Sequence, residues 1–195
     1  MSKKVLITGG SGLLAVNWAL AIRDKYSVIL LLHHRKISIS GVGVEVASLK
    51  TSGQCHAILK QHNPDLVINT AGMTNIEKCE EYPKLAHKAN VDLAENIAVA
   101  CNELNIKLVH ISTDHLFSGK KQMAYEDSCI EPVNNYSKTK GQAELKVQEV
   151  CKNALIIRTN FFGWGVKYRQ SFSDYILNNL RQNKSVDLFL DVLSK

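Results

Sequence analysis

The first fifteen residues carry the pattern that most constrains the fold of this chain. Lys4 to Thr8 (KVLIT) form a short apolar, β-branched run, which is typical of a buried strand. A glycine-rich stretch follows at once and leads into a helical pattern of apolar residues; it reads Gly9-Gly10-Ser11-Gly12-Leu13-Leu14-Ala15. A strand, a glycine turn and a helix in this order predict the start of a dinucleotide-binding sheet.

The residues of this turn have distinct expected tasks. Gly9 permits a tight turn, and Gly12 lets the backbone approach a pyrophosphate at the positive N-terminus of the helix. Ala15 takes the third position of the motif, where a small side chain is needed for packing of helix on strand. The predicted cofactor-binding residues here are Gly9, Ser11, Gly12, Leu13 and Leu14. A plain tight turn between a strand and a helix is the alternative.

The end of the second predicted strand bears on the choice of cofactor. Ser27 to Leu32 (SVILLL) read as that strand, and His33-His34-Arg35-Lys36 follow it. A site for NAD usually offers a carboxylate here to the ribose 2′-hydroxyl. The basic side chains suit a 2′-phosphate instead, so we predict NADPH or NADH with NADPH favoured, and His34 and Arg35 near the phosphate. A solvated basic loop is the alternative, and the paired histidines lack companions for a metal site.

A second pattern carries possible chemistry. Tyr136-Ser137-Lys138-Thr139-Lys140 places a phenol and an ammonium four residues apart, on one face of a helix. A nearby ammonium is expected to lower the pKa of the phenol from about 10. Ser112-Thr113-Asp114 ends an apolar run upstream, and the Thr113 hydroxyl is suited to hold a carbonyl oxygen beside that phenol. The set predicts proton transfer in a carbonyl/alcohol pair, although a solvated helix face produces the same spacing by chance.

These motifs resemble the extended short-chain dehydrogenase/reductase family, and within it the dTDP-4-dehydrorhamnose reductases. The matching stretches run in family order from residue 5 to about 165: ITGGSGLLAVNW, PDLVINTAGMTNIEKCEEYP, KANVDLAENIA, LVHISTDHLFSGK, YEDSCIEPVNNYSKTKGQAE and IIRTNFFGWG. The resemblance implies an NAD(P)H-dependent reductase that acts on a nucleotide-linked 4-keto sugar.

The resemblance also implies roles for single residues. Thr113 matches the catalytic Ser/Thr of the family, Tyr136 its acid/base, and Lys140 its lysine, which also holds the cofactor ribose. Asn90 matches an asparagine that supports a helix kink and a proton relay.

Further matches concern cofactor and substrate. The motif that ends the fourth strand beside the cofactor ribose is represented by Asn69, Ala71 and Gly72. Arg158-Thr159-Asn160 resembles the segment that flanks nicotinamide and substrate, and the implied substrate contacts are Thr113, Asp114 and Asn160. Glu45 aligns loosely with an aspartate that often contacts adenine in the family.

The residue after Asp114 discriminates among relatives. Sugar 4,6-dehydratases resemble Thr-Asp-Glu here, with both acids used for elimination of water, whereas His115 follows Asp114 in this chain. Elimination is therefore disfavoured. Reductases of the family carry an aromatic residue at the position of His115, so the identity of the sugar stays open.

Alternating strand-like and helix-like segments predict an α/β fold: a doubly wound Rossmann-type parallel sheet with helices on both faces. Strands are predicted near 4–8, 27–32, 42–46, 65–70, 106–112 and 154–159. Helices are predicted near 12–25, 53–62, 83–104, 134–151 and 171–182. The predicted domains are an NAD(P)-binding Rossmann domain over 1–165 and the beginning of a truncated substrate-binding region over 166–195.

Composition bounds the class of protein. A chain of 195 residues with 45% hydrophobic content suits one globular core. The net charge of +6 is spread along the chain without a dense basic block, so no nucleic-acid partner is expected. Neither a run of 18 apolar residues nor a signal-peptide pattern occurs, so no membrane association is expected. Five scattered cysteines without a C-x-x-C pair indicate reduced thiols and a cytoplasmic protein.

The chain is shorter than the members of the family that it resembles. The portion that those proteins have and this chain lacks builds most of their nucleotide-sugar pocket. An open cleft and an exposed apolar edge are expected, which favours a partner or a homo-oligomer. Three functions stay open: a reductase, a non-catalytic dinucleotide-binding regulatory or scaffold subunit, and a sugar epimerase that shares the cofactor chemistry. The intact set of Thr113, Tyr136 and Lys140 favours catalysis.

Overall fold

A computed structural model describes residues 2–119, 124–166 and 168–186 of the chain. Its strands are β1 (Lys4–Thr8), β2 (Ser27–Leu32), β3 (Gly43–Val46), β4 (Leu66–Asn69), β5 (Lys107–Ser112) and β6 (Leu155–Arg158). Its helices are α1 (Leu13–Ile22), α2 (Ser52–His62), α3 (Ile76–Glu81), α4 (Pro83–His87), α5 (Leu93–Glu103), α6 (Asn135–Val150) and α7 (Phe172–Arg181). A π-helical turn (Lys88–Asp92) joins α4 to α5, and a 3₁₀ turn (Asp114–Leu116) follows β5.

The six strands form one parallel sheet in the order β3-β2-β1-β4-β5-β6. Strand order reverses at β1, which pairs with β2 on one side and with β4 on the other, where Thr8 lies opposite Asn69. Ligands of doubly wound sheets bind outside the carboxyl ends of the strands at such a reversal. The predicted fold class is therefore confirmed, and the topology places a ligand crevice at the glycine turn.

Two buried clusters hold the helices against the two faces of the sheet. One cluster lies under α2, α5 and α6 and includes Leu6, Leu59, Val67, Ile97, Leu108 and Val147. The other lies under α1 and includes Ile7, Ala15, Ala19, Leu30, Ile68 and Ile111. Alternation along β5 therefore turns its even-numbered residues towards α6 and its odd-numbered residues towards α1.

The predicted elements agree with the structure to within a few residues at most boundaries. The predicted helix over 83–104 is instead three segments, because α4 and α5 are separated by a π-helical turn. The short helix α3 was not predicted, since six residues are too few to show a helical period. The part of the predicted substrate region that spans 187–195 lies outside the described residues.

Two predictions from composition can be compared with the structure. All five cysteines have free thiols, and four of them are buried: Cys55, Cys79, Cys101 and Cys151. Among the described helices, none combines the length and the apolar character that crossing a membrane requires.

Candidate functional site

The glycine turn lies at the carboxyl end of β1 and is closed tightly by its neighbours. Gly9 has a φ of +67°, in the left-handed region that favours glycine. A Cβ atom added there would lie 2.9 Å from the backbone N and Cα of Ala71. The Gly10 N–H donates to the Leu31 carbonyl oxygen at 2.8 Å, and a Cβ added to Gly10 would lie 2.7 Å from the Cβ of Leu30. The turn is thus pressed against both neighbouring strands.

The turn leads directly into α1 and leaves backbone donors available. The Gly12 N–H donates to the Gly9 carbonyl oxygen at 2.7 Å, and Gly12 is the N-cap residue of α1. It provides no side-chain cap, so the first-turn N–H groups of Leu13, Leu14 and Ala15 have no partner within this helix. A glycine-rich turn with orphan N–H groups at a helix N-terminus fits a phosphate group.

The loop after β4, which the resemblance places beside the cofactor ribose, borders the glycine turn. The Asn69 side chain is buried, and its Oδ1 accepts hydrogen bonds from the Thr8 hydroxyl (2.7 Å) and the Ala71 N–H (3.2 Å). Because Ala71 can only donate, the Asn69 Nδ2 is the group that donates to the His110 Nδ1 at 3.0 Å. Burial lowers the pKa of His110 to about 3, so this imidazole is neutral. Asn69 therefore shapes the loop from inside, and the following backbone borders the turn.

The basic residues predicted near the cofactor ribose are exposed at the carboxyl end of β2. The Arg35 guanidinium stacks on the Tyr168 ring, 4.2 Å from its centroid, and the Tyr168 hydroxyl donates to the Ser11 carbonyl oxygen at 2.8 Å. The His34 ring stacks on His33 with centroids 3.5 Å apart. The segment after β6 therefore reaches the glycine turn and the basic loop together.

Glu45 contacts a histidine of α2 through its carboxylate. Its carboxylate lies 2.6 Å from the Nε2 of His62, the last residue of α2. The His62 carbonyl oxygen in turn accepts from the Nζ of Lys4, the first residue of β1. The Glu45 carboxylate therefore binds the C-terminal end of α2 in this structure.

The residues predicted to carry the chemistry meet where β5 and α6 adjoin. Thr113 is buried directly after β5, and its Oγ1 accepts from the His115 N–H at 3.2 Å. Lys140 is buried on the inner face of α6, and its Nζ donates to the Ile111 carbonyl oxygen at 2.6 Å. The half-buried Tyr136 lies one helical turn before Lys140, with its phenol beside the Thr113 side chain. Thr113 and Tyr136 thus lie side by side, and the Lys140 ammonium binds the backbone of β5 two residues before Thr113.

The ionisation of this group differs from the prediction. Burial raises the pKa of the Tyr136 phenol; Thr113 opposes that effect by hydrogen bonding, and the Asp114 carboxylate adds to it. The prediction that Lys140 lowers this pKa is wrong for this arrangement, because burial dominates and the ammonium is turned to a backbone carbonyl. Burial also lowers the pKa of Lys140 to about 8, with Glu144 acting in the opposite direction. At neutral pH Tyr136 keeps its proton and Lys140 is charged.

Asn90 links two parts of the site. It lies in the π-helical turn over 88–92, which matches the helix irregularity that the resemblance implied. The buried Asn90 side chain accepts from the Met73 N–H at 2.7 Å and donates to the Met73 carbonyl oxygen at 3.2 Å. Its Nδ2 also donates to the Thr139 Oγ1 at 2.9 Å, and a Cβ added to Gly72 would lie 2.8 Å from its Oδ1. Asn90 therefore ties the loop after β4 to α6.

The implied substrate contacts are less enclosed. The Asp114 carboxylate is about half exposed and lies 3.8 Å from the His115 imidazole. Asn160 is exposed two residues after β6. His115, in place of the family's aromatic residue, presents its ring edge-to-face to Tyr136 with centroids 6.3 Å apart. Asp114 and His115 therefore border the phenol, whereas no contact joins Asn160 to it among the described residues.

Arg158, in the segment that the resemblance places beside nicotinamide and substrate, binds residues of its own chain. Its guanidinium forms a fork with the buried Glu144 carboxylate at 2.8 to 3.2 Å, and its Nη1 donates to the Glu126 carbonyl oxygen at 2.9 Å. Arg158 therefore fastens β6 to α6. Its neighbour Thr159 lines a cavity of about 360 Å³ under α1, together with Leu14, Asn17, Trp18, Ala21, Ile111, Ile157 and Phe161.

Sequence reasoning missed several residues of this site. The tight packing of Gly10, the fork between Glu144 and Arg158, and the neutral His110 were not singled out. Each depends on a partner far away in the chain, so local spacing gave no signal. The doubled glycine Gly9-Gly10 is the one local feature that pointed to close backbone contact.

Comparison with known proteins shows the family of the chain. The sequence profile of the family described as RmlD substrate binding domain matches residues 3–194. A probable low-salt glycan biosynthesis reductase from Haloferax volcanii is 26% identical over 190 residues, which cover 95% of this chain and 63% of the relative. The dTDP-4-dehydrorhamnose reductase of Escherichia coli is 37% identical over 99 residues, which cover 50% of this chain and 33% of the relative.

Solved structures show the same fold. A dTDP-4-dehydrorhamnose reductase from Bacillus anthracis in complex with NADP has a TM-score of 0.77 at 25% identity, over 95% of this chain and 62% of that one. A hypothetical dTDP-4-dehydrorhamnose reductase from Sulfolobus tokodaii has a TM-score of 0.79 at 29% identity, over 94% and 63%. The chain spans less than two thirds of the length of these proteins. With a profile match over nearly all its residues, the chain belongs to the RmlD substrate binding domain family of extended short-chain dehydrogenase/reductases.

Proposed function

We propose that this chain is the cofactor-binding and catalytic part of an NADPH-dependent reductase that acts on a nucleotide-linked 4-keto sugar. The observation that carries the proposal is the contact of the Tyr136 phenol with Thr113 at the carboxyl end of β5, the edge of the sheet that also holds the glycine turn. Lys140 is buried one helical turn after Tyr136 and binds the backbone of the same strand. The relatives named as reductases of dTDP-linked keto sugars support the same reaction class.

The cofactor proposal rests on the nucleotide end of the site. The turn of Gly9 and Gly12, with the N–H groups that begin α1, would hold the pyrophosphate. The exposed His34 and Arg35 would hold a 2′-phosphate, and the Bacillus anthracis relative is a complex with NADP. NAD(P)H, when bound, supplies the hydride to the carbonyl carbon.

The protein side chains handle the proton. Tyr136 donates its phenolic proton to the carbonyl oxygen, and its raised pKa keeps that proton in place beforehand. The Thr113 hydroxyl orients the carbonyl oxygen. Lys140, charged at neutral pH, binds the β5 backbone at Ile111 and is proposed to hold the cofactor ribose. Asp114 and Asn160 are proposed to contact the sugar.

The domain assignment belongs to the same proposal. Residues 1–165 would form the NAD(P)-binding domain, and residues 166–195 would begin the substrate-binding region. The hydrogen bond from the Tyr168 hydroxyl to the Ser11 carbonyl oxygen (2.8 Å) supports a substrate region that packs on the nucleotide end. The free thiols support a cytoplasmic protein, and a nucleotide sugar would be its small-molecule partner. Exposed aromatic side chains after β6, such as Phe162 and Trp164, support a homo-oligomer.

The test is a binding titration followed by a turnover assay on the full chain. NADPH and NADH are titrated by cofactor fluorescence, and NADPH oxidation is then followed with a dTDP-linked 4-keto sugar. We expect tighter binding of NADPH and oxidation that depends on the sugar. Binding without turnover on any keto sugar would support a regulatory module instead, and NAD⁺ retained through purification would support an epimerase.

A further inference from the structure

One further contact, which involves none of Thr113, Tyr136 and Lys140, holds the start of α6. The Glu80 carboxylate of α3 accepts a hydrogen bond from the Asn135 backbone N–H at 2.6 Å and another from the Asn135 Nδ2 at 2.7 Å. Asn135 is the first residue of α6 and directly precedes Tyr136. Glu80, 55 positions upstream, thus binds the backbone next to the phenol.

The hydrogen bonds from Asn135 to Glu80 complete the N-terminal cap of α6. Asn134 and Ser137 form a capping box, in which the Asn134 Oδ1 accepts from the Ser137 N–H at 2.8 Å and the Ser137 Oγ accepts from the Asn134 N–H at 3.3 Å. The Asn135 N–H has no acceptor within the helix, because it lies in the first turn. The Glu80 carboxylate satisfies it, and a negative charge is favourable at this helix end.

Helix α3 is itself firmly placed. Its side chain Cys79 is fully buried, and the Sγ donates to the Met73 carbonyl oxygen at 3.5 Å. Asn75 caps α3 by accepting from the Lys78 N–H at 2.7 Å. Met73 is held on both backbone atoms by Asn90, so α3 is anchored to the loop that borders the glycine turn.

Two tethers therefore flank the phenol along α6. Asn90 binds Thr139, three residues after Tyr136, and Glu80 binds Asn135, one residue before it. We propose that Glu80 is a positioning residue for Tyr136, because it fixes the first turn of α6 so that the phenol stays beside Thr113. The catalytic meaning of this position rests on the proposed function, whereas the position itself does not.

The groups around the Tyr136 phenol determine how its pKa would change if the phenol moved. The groups that face it are the Thr113 hydroxyl, the Asp114 carboxylate, the His115 ring and the Cys79 thiol. Burial is the largest influence on the pKa of Tyr136, so a first turn that is released from Glu80 would admit water and lower that pKa towards the ordinary value of about 10.

The variants separate hydrogen bonding from charge. Glu80→Ala removes both acceptors. Glu80→Gln keeps an acceptor for the Asn135 N–H and, after rotation of the Asn135 amide, can donate to its Oδ1. Glu77→Ala is the matched control, since Glu77 is an exposed glutamate of the same helix. Asn135→Ala keeps only the backbone bond and gives a second, milder test.

The full chain is labelled with tyrosine that carries ¹³C at Cζ, and the phenol resonances are followed by NMR against pH. Tyr136→Phe assigns the resonance. We expect Glu80→Ala to shift the Tyr136 resonance and lower its titration midpoint, Asn135→Ala to do so less, and Glu80→Gln and Glu77→Ala to match the wild type. A Tyr136 titration that is unchanged in folded Glu80→Ala and Asn135→Ala would overturn the proposal.

Turnover supplies the second readout. If the chain reduces a keto sugar, Glu80→Ala should lower kcat about tenfold to a hundredfold with little change in KM, and Glu80→Gln should restore it. A wild-type chain without turnover, together with a shifted Tyr136 in Glu80→Ala, would reject the proposed function and keep the positioning role. A normal kcat in a folded Glu80→Ala would reject the positioning role alone.

Discussion

The two ends of the candidate site are built from different materials. At the nucleotide end the backbone forms the site: Gly9 takes a left-handed conformation, and Gly12 leaves the first turn of α1 without a side-chain cap. At the chemical end side chains form the site: Lys140 reaches a backbone carbonyl, and Asn90 ties α6 to the loop after β4. The nucleotide end depends on open space around the backbone, and the chemical end depends on particular side-chain atoms.

This difference predicts opposite sensitivities. Added atoms should damage the nucleotide end, because a Cβ at Gly9 already meets the Ala71 backbone at 2.9 Å. Removed atoms should damage the chemical end, where the working groups are a phenol, an ammonium and a hydroxyl. Binding and turnover should therefore fail separately in variants of the two ends.

Removal of the phenol should have the largest effect. We expect Tyr136→Phe to lower turnover by about 10²–10⁴-fold, the usual contribution of general acid catalysis, with NADPH affinity unchanged. NADPH oxidation and cofactor fluorescence measure the two quantities. Tyr175→Phe is the control, because that phenol is exposed on α7. Equal turnover in wild type and Tyr136→Phe would remove the phenol from the chemistry.

The buried ammonium should make stability depend on pH. The pKa of Lys140 is lowered from 10.5 to about 8 in the folded chain, so between these values the unfolded chain binds the extra proton and stability rises with pH. From pH 8 to 10.5 the free energy of unfolding of the wild type should gain roughly 3 kcal/mol relative to Lys140→Met.

Urea unfolding across this pH range measures that difference, and other titrating groups cancel between the two proteins. Lys36→Met, at an exposed position of the nucleotide end, should show no such divergence from the wild type. A difference between wild type and Lys140→Met that stays constant with pH would contradict a shifted Lys140.

An added methyl group should damage the nucleotide end. We expect Gly9→Ala to lower the free energy of unfolding by about 2 kcal/mol, because of the positive φ and the contact with Ala71, and to weaken NADPH binding. Gly53→Ala is the matched control, since a Cβ there meets nothing within 4 Å. Thermal or urea unfolding and a fluorescence titration test both. The account of the turn is wrong if the two variants behave alike.

The smallest expected effect concerns the choice of cofactor. Arg35→Ala should weaken NADPH binding about tenfold and leave NADH binding unchanged, because only NADPH carries the 2′-phosphate. Arg23→Ala is the control, since the Arg23 guanidinium binds the Ser40 carbonyl oxygen at 2.9 Å. Equal loss for both cofactors would assign Arg35 a role in folding, for example through its stacking on Tyr168.

The same contrast explains what could be predicted from the sequence. The strands and the glycine turn were predictable, because apolar β-branched runs and glycines carry local signals of backbone conformation. The position of Tyr136 one helical turn before Lys140 was predictable from their spacing. Features formed by the backbone can thus be predicted from local sequence patterns.

The remaining features depend on contacts between distant residues. The sign of the pKa shift of Tyr136 follows from burial by the folded chain, which spacing does not reveal. The partner of Arg158 was not predicted, because only the packing of β6 on α6 brings Glu144 to it. The grip of Glu80 on Asn135 joins two segments that no local motif connects.

The most direct test of the central claim is a crystal structure of the full chain with NADPH. The claim predicts the pyrophosphate on the Gly9–Gly12 turn and the nicotinamide ring beside the hydroxyls of Thr113 and Tyr136. A cofactor bound elsewhere, or a nicotinamide ring directed away from these two hydroxyls, would contradict it.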